Sequence, residues 1–169
     1  MQYGTTITQP DATKQASILT QFLQNPGPKH QAAIDRLICY LYTTRYWGIQ
    51  YGPVEDDSEV VRLSSDASYA DNGDRTSSAG YICQIFGGPV DWKATRQRTV
   101  TTSTTEAELL GLSDAGKALQ WWDRLFRRIG FEYPGKLTIE CDNTRTVDLI
   151  NAKDTPFDTK LHYIDIHGH

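Results

Sequence analysis

A chain of 169 residues is long enough for one full domain with a sizeable core and a smaller appended piece. Its 38% hydrophobic and 22% charged residues are ordinary for a soluble globular protein, and the absence of any apolar run of about 18 residues excludes a membrane-spanning helix. The formal net charge of −4 argues weakly against a nucleic-acid partner, but the charge is unevenly placed. From Arg62 onward there are 13 Lys+Arg against 15 Asp+Glu, and four of those acids will be singled out below as ligands. With them neutralised, Lys93, Arg96, Arg98, Lys117, Arg124, Arg127 and Arg128 make that stretch net basic and available to phosphates; the plain alternative is that they are solvated surface charges.

In chain order, residues 1–14 are polar and patternless, as a flexible or peripheral arm would be, and Met1-Gln2-Tyr3-Gly4-Thr5 lacks the basic and apolar regions of a signal peptide. Ile18, Leu19, Phe22 and Leu23 recur at helical spacing over 15–24, and Asn25-Pro26-Gly27-Pro28 breaks the pattern. A second helix is predicted from His30 to Thr43, then a short strand at 47–51 and a compact acidic linker at 55–59. After the linker come a strand at 60–68 ending near Asp66, an Asn72-Gly73 turn, a strand at 78–87, a tight turn at Gly87-Gly88 and a strand at 90–93, together an antiparallel meander. Residues 105–129 carry the longest helical periodicity, with Gly130 as its stop. A fourth strand at 136–142, placed beside the first, and a short helix at 144–152 follow. This order predicts a mixed sheet with helices packed on it. Cys39, Cys83 and Cys141 are odd in number, form no CxxC pair and lie in apolar stretches, which predicts buried reduced thiols and an intracellular setting. The sequence ends at His167-Gly168-His169 without a polar tail, as a piece of a longer chain would.

Four acids carry the chemistry. Asp66 ends the first strand; an acid opening a turn would look the same. Glu106 and Glu108 open the long helix, and Ser103–Glu106 and Thr105–Glu108 both have capping-box spacing. The two glutamates project about 200° apart on a helix, so one can cap while the other serves as a ligand. Glu108, followed by Leu109-Leu110-Gly111-Leu112, leans toward the packed side, and Glu106 suits the cap. Asp142 shares a strand face with Glu140, opposite Ile139 and Cys141, and could equally cap the helix after it. Asp165 sits between Ile164 and Ile166, an odd place for a solvent-facing acid. Carboxylates held beside apolar residues are costly without a bound cation, and a pair of divalent ions is a standard device for in-line displacement at a phosphodiester.

Taken together, Ser65-Asp66-Ala67-Ser68-Tyr69-Ala70, Ser77-Ser78-Ala79-Gly80-Tyr81, Val90-Asp91-Trp92-Lys93, Arg96-Gln97-Arg98-Thr99-Val100, Ser103-Thr104-Thr105-Glu106-Ala107-Glu108, Cys141-Asp142-Asn143 and Ile164-Asp165-Ile166 resemble the ribonuclease H domain of copia-type (Pseudoviridae) retrotransposon Pol polyproteins. Residues 18–51, with Asn25-Pro26-Gly27-Pro28-Lys29-His30, resemble the tail of the same element's reverse transcriptase.

The resemblance implies an α/β, ribonuclease H-like fold with a five-stranded mixed sheet and helices on both faces, preceded by a small helical element. Residues 1–59 would be the reverse-transcriptase tail or connection element with its linker, and 60–169 the ribonuclease H domain. It implies cleavage of the RNA strand of RNA/DNA hybrids during reverse transcription, with two Mg²⁺ ions (Mn²⁺ as a substitute) held by Asp66, Glu108, Asp142 and Asp165. Lys93, Arg96 and Arg98 would meet phosphates, and His169 would be a proton shuttle. The expected partners are the hybrid and the reverse transcriptase of the same polyprotein, with no membrane. The expected setting is a cytoplasmic virus-like particle, with the nucleus as a second location. Two departures stand out: Tyr163 holds a place where the family often has His, and the family continues past His169 into another helix. The rival readings are a non-catalytic connection module that binds hybrid without cutting, and a nuclease of the same fold acting on DNA.

Overall fold

In a computed structural model, residues 2–53, 60–133, 137–151 and 165–168 are described. The predicted linker at 55–59 falls outside them, as do His162, Tyr163, Ile164 and His169.

The meander forms where alternation predicted it. β1 (Val61–Ser68) pairs antiparallel with β2 (Ser78–Ile85), which pairs antiparallel with β3 (Gly88–Arg96). α4 (Thr104–Ile129) then crosses the sheet, and β4 (Thr138–Cys141) returns parallel to β1. β5 (Asp165–Gly168) lies parallel to β4, so the order is β3-β2-β1-β4-β5. The pleat sorts the side chains. Val61, Leu63, Cys83, Ile139 and Cys141 face α4 and pack against Leu112, Ala115, Leu119 and Phe126. Leu63, Leu112, Leu119 and Ile139 are fully removed from water, each contributing roughly 1.5–3 kcal/mol of burial. α4 starts on Ser103, whose hydroxyl accepts from the Glu106 amide, and stops at Gly130 with φ 69°. α5 (Thr144–Asn151) follows β4.

The opposite sheet face meets the N-terminal element. α1 (Gln2–Ile7), a 3-10 turn at Pro10–Ala12, α2 (Thr13–Thr20) and α3 (Pro28–Thr43) form a small helical cluster around Ala12, Ala16, Leu19 and Leu37. Of the stretch 1–14, expected as a flexible or peripheral arm, residues 2–14 are largely helical and lie against the sheet. The Thr5 carbonyl accepts from Thr13 Oγ1 at 2.8 Å and from Trp92 Nε1 at 3.1 Å, which pins the first helix to β3. Trp92 is therefore an anchor for this element rather than a stacking surface. The helix predicted over 15–24 ends at Thr20, where the Gln21 amide turns back to Ile18, and Leu23 is exposed.

Three further expectations are corrected. Residues 47–51 form no strand; they have no ladder partner, and the segment lies across the β2–β3 hairpin through Gly52 N to Phe86 O and Tyr51 OH to Pro89 O. The hairpin turns at Phe86-Gly87, both with positive φ (51° and 74°), the primed geometry that suits strand twist. Gly88 belongs to β3, where the Tyr51 ring leaves no room for a Cβ. Cys39 is exposed, while Cys83 and Cys141 are buried and free. Among the described residues no helix is long and apolar enough to cross a membrane.

Two glycines on these faces have opposite tolerances. A Cβ on Gly111 would sit 3.5 Å from Ala79 and 3.6 Å from Ala67, ordinary contact, whereas a Cβ on Gly80 would lie 2.9 Å from the Lys93 carbonyl. Gly111→Ala should therefore stabilise the fold by about 0.5–1 kcal/mol through helix propensity. Gly80→Ala should destabilise it by about 1–3 kcal/mol through strain between strands. Urea denaturation midpoints of the two variants test both signs.

Candidate functional site

Three of the four singled-out acids meet at one end of the sheet. β1 and β4 run parallel with Ser64 opposite Glu140 and Ser65 opposite Cys141, so Asp66 and Asp142 follow at matching positions on neighbouring strands. Both are exposed. Glu108 arrives from the first turns of α4 and is buried, 5% exposed. It is free for this position because Glu106 takes the capping role: its Oε2 accepts from the Thr102 amide and hydroxyl at 2.6 and 2.8 Å. Asp142 is likewise released, since Asn143 caps α5 by accepting from the Thr146 amide at 3.2 Å. The rival capping explanations for Glu108 and Asp142 thus fall to their neighbours.

The electrostatics follow from this placement. Burial first, and then the charges of Asp142 and Asp66, push the Glu108 carboxyl up to about 7, against a smaller opposing effect of the Ala67 amide that hydrogen-bonds to it. Glu108, Cys141 and Asp142 offer ligand atoms all within 4.8 Å of one another. Cys141 is a member the sequence reading did not include. Its thiol donates to Glu108 Oε2 at 3.9 Å, and it is pushed above its ordinary value by burial first, with the three acids adding to the shift. Only the alternation that turns Cys141 inward pointed toward it. The cluster is chemically suited to a hard divalent cation: carboxylate oxygens, with a negative excess that a cation would offset.

The backbone of Asp165 registers with Thr138, the first residue of β4, whereas Asp142 follows the last. Four strand steps, about 13 Å at ~3.3 Å per residue, separate the two levels. Of the expected quartet, Asp66, Glu108 and Asp142 come together among the described side chains. His169, the expected proton shuttle, lies outside the described residues.

The cations expected to meet phosphates are close by but not idle. Lys93 Nζ lies 3.1 Å from Asp114, which also holds Lys117 at 3.0 Å, and Arg96 is 3.1 Å from Asp74. Lys93, Arg96, Arg98 and Lys117 line one open groove of about 540 Å³ between β3 and α4. Exposed pairs of this kind are worth at most about 1 kcal/mol each, so a phosphate can exchange for the carboxylate.

Set against known proteins, the whole chain is 28% identical over 170 residues to the retrovirus-related Pol polyprotein from transposon TNT 1-94 of Nicotiana tabacum, and 96% of it is 29% identical to that from transposon RE1 of Arabidopsis thaliana. Its relatives over the whole chain are retrovirus-related Pol polyproteins from copia-type transposons. The chain spans 12% and 11% of those two proteins' lengths. It is also 34% identical over 122 residues to the secreted RxLR effector protein 161 of Plasmopara viticola, covering 84% of that protein. No family profile matches the chain. Among solved structures, LC11-RNase H1 in complex with RNA/DNA hybrid overlaps 60% of this chain and 67% of that one at 13% identity and a TM-score of 0.43, too slight an overlap to carry the fold by itself.

A raised Glu108 has a stability consequence. Its folded value lies above the ordinary 4.5, so its contribution is fully present below about pH 4.5 and is lost as pH rises through about 7. In EDTA, wild-type Tm should fall between pH 5 and 8 relative to Glu108→Gln, which has no such proton to lose. Mg²⁺ should restore wild-type Tm most at the alkaline end, because it binds the ionised site. Parallel pH slopes for the two proteins would remove Glu108 from the cluster.

Proposed function

We propose that this segment of the polyprotein is a ribonuclease H-type endonuclease that hydrolyses the RNA strand of RNA/DNA hybrids during reverse transcription. In this reading residues 60–169 form the nuclease domain and 1–59 the tail of the reverse transcriptase, which is also the expected partner in the polyprotein. The convergence of Asp66, Glu108 and Asp142 at the ends of two parallel strands carries the reading. A 3-2-1-4 strand order, with a long helix crossing before β4, supports it. A virus-like particle in the cytoplasm is the setting that follows.

In this reading Asp66 and Asp142 would hold two Mg²⁺ ions, with Mn²⁺ as a substitute, and Glu108 would hold one of them. Such ions, when bound, supply the Lewis acidity that activates water and steadies the leaving 3′ oxygen. The chain's own residues do the rest. Glu108, once ionised, has a carboxylate that can accept from the RNA 2′-hydroxyl, the group that separates RNA from DNA. Capping by Glu106 and Asn143 keeps Glu108 and Asp142 turned to the site. Lys93, Arg96 and Arg98 contact backbone phosphates in the adjoining groove. Asp165, whose backbone lies beside Thr138, is the fourth expected ligand, and the other three carboxylates carry the reading.

Asp142→Asn should reduce cleavage of a labelled hybrid by roughly two orders of magnitude or more while leaving the metal-free fold intact or firmer, since one like charge is gone. The assay titrates Mg²⁺ with duplex RNA and duplex DNA as controls. Cleavage by the variant at near wild-type rate would overturn the site. Hybrid binding without cleavage by the wild type would favour the connection-module reading, and cutting of duplex DNA the DNA-nuclease reading.

A further inference from the structure

The N-terminal element contributes a cation to the wall beside Asp66. On the sheet face opposite α4, α2 stands over β1, β2 and β3, and a small cavity remains between them. Lys14 of α2 and Gln21 just past its end line it on one side, and Asp66, Ser68, Ser78 and Arg96 of the sheet on the other. Lys14 Nζ reaches 3.4 Å from Ser68 Oγ, two residues along β1 from Asp66. Neither cation is committed elsewhere by a strong pair: Lys14 lies 3.9 Å from Asp71 and Arg96 3.1 Å from Asp74, all four being partly exposed. Arg96 also lines the groove on the α4 side, so the two recesses meet at this residue at the end of β3. A continuous basic path therefore runs from Lys14 beside Asp66, around the sheet edge at Arg96, to Lys93 and Arg98.

We propose that Lys14 and Arg96 grip one backbone phosphate of the bound nucleic acid from opposite walls of this cavity, with Lys14 a substrate-positioning residue supplied by the N-terminal element. Two cations on separate elements, hydroxyls of Ser68 and Ser78 as further donors, and an adjoining metal-type site are the recognition chemistry of a phosphodiester. Asp71 and Asp74, in the turn between β1 and β2, hold the two cations until the phosphate displaces them. The inference rests on the proposed function, since it takes RNA/DNA hybrid as the ligand.

The test measures hybrid affinity of the full chain in Ca²⁺, which suppresses cutting, across a range of KCl. Lys14→Gln should raise Kd roughly three- to ten-fold at moderate salt and flatten the log Kd against log salt slope by about 0.9, the signature of one lost phosphate contact, whereas Lys14→Arg should restore both. Asp71→Asn, which frees Lys14, should tighten binding about two-fold. Unchanged Kd and slope in Lys14→Gln overturn the proposal while leaving the nuclease reading in place. If Lys14→Gln does not fold, unchanged affinity in Asp71→Asn overturns it instead. A wild type that neither binds nor cuts hybrid removes the nuclease reading and this inference together.

Discussion

Confinement of like charge is the constraint around which the molecule is arranged. Asp66, Glu108 and Asp142 reach one place from β1, α4 and β4, and the fold holds Glu108 there out of water, at the expense of its ionisation. Nothing local asks for this. An isolated helix would leave Glu108 exposed in its first turns, where an acid suits the dipole. It is buried because Ala107, Gly111 and Leu112 must face the sheet, and Gly111 lets the helix approach Ser65 and Ala67 closely. The packing of α4 on β1 and the strain on Glu108 are thus one fact seen from two sides. A bound cation would turn that cost into binding energy, because like charges held together repel one another.

The division of labour between neighbouring polar residues lets the trio stay available. At the starts of α4 and α5 the sequence supplies two groups able to cap, and the structure uses the one farther from the cluster. Glu106 closes on Thr102, and Asn143 accepts from Thr146, so Glu108 and Asp142 need make no local bond. Capping residues satisfy amides that would otherwise be orphaned, and here they also settle which acids face the site.

How much of this was legible follows from the range of each signal. Period-2 alternation and helix periodicity are local, and β1 to β4, α3 and α4 come out within a few residues of their predicted bounds. The Glu106–Glu108 choice was legible too, because two residues on a helix part by a known angle. What was not legible depends on partners distant in the chain. Residues 2–12 carry no apolar period; they are ordered because the Thr5 carbonyl finds Trp92, 87 positions away. Residues 47–51 have strand-forming side chains, but their segment lies across the β2–β3 hairpin instead of pairing along a strand. The level of Asp165 is set by β5's register on β4, and a register is a property of two strands rather than one. Lys14 reads as one charge in a polar arm until α2 is laid over Ser68.

The same long-range contacts join the two parts of the chain. Trp92 ties β3 to α1 through Thr5, and Lys14 of α2 and Gln21 just past its end reach Ser68 and Asn72 at the far end of β1 and the turn after it. These bonds land on the strand that bears Asp66 and on the strand that bears Lys93 and Arg96. An element read from sequence as a tail is therefore mechanically coupled to the acid cluster and to the basic edge at once. The contacts are few and mostly polar, and polar contacts at a partly wet seam are individually worth about 1 kcal/mol. Such a seam holds α2 in place without welding it to the sheet. Movement of α2 would change the position of Lys14 relative to Asp66 while leaving the Leu63–Leu112–Ile139 core untouched, because that core lies wholly on the other face.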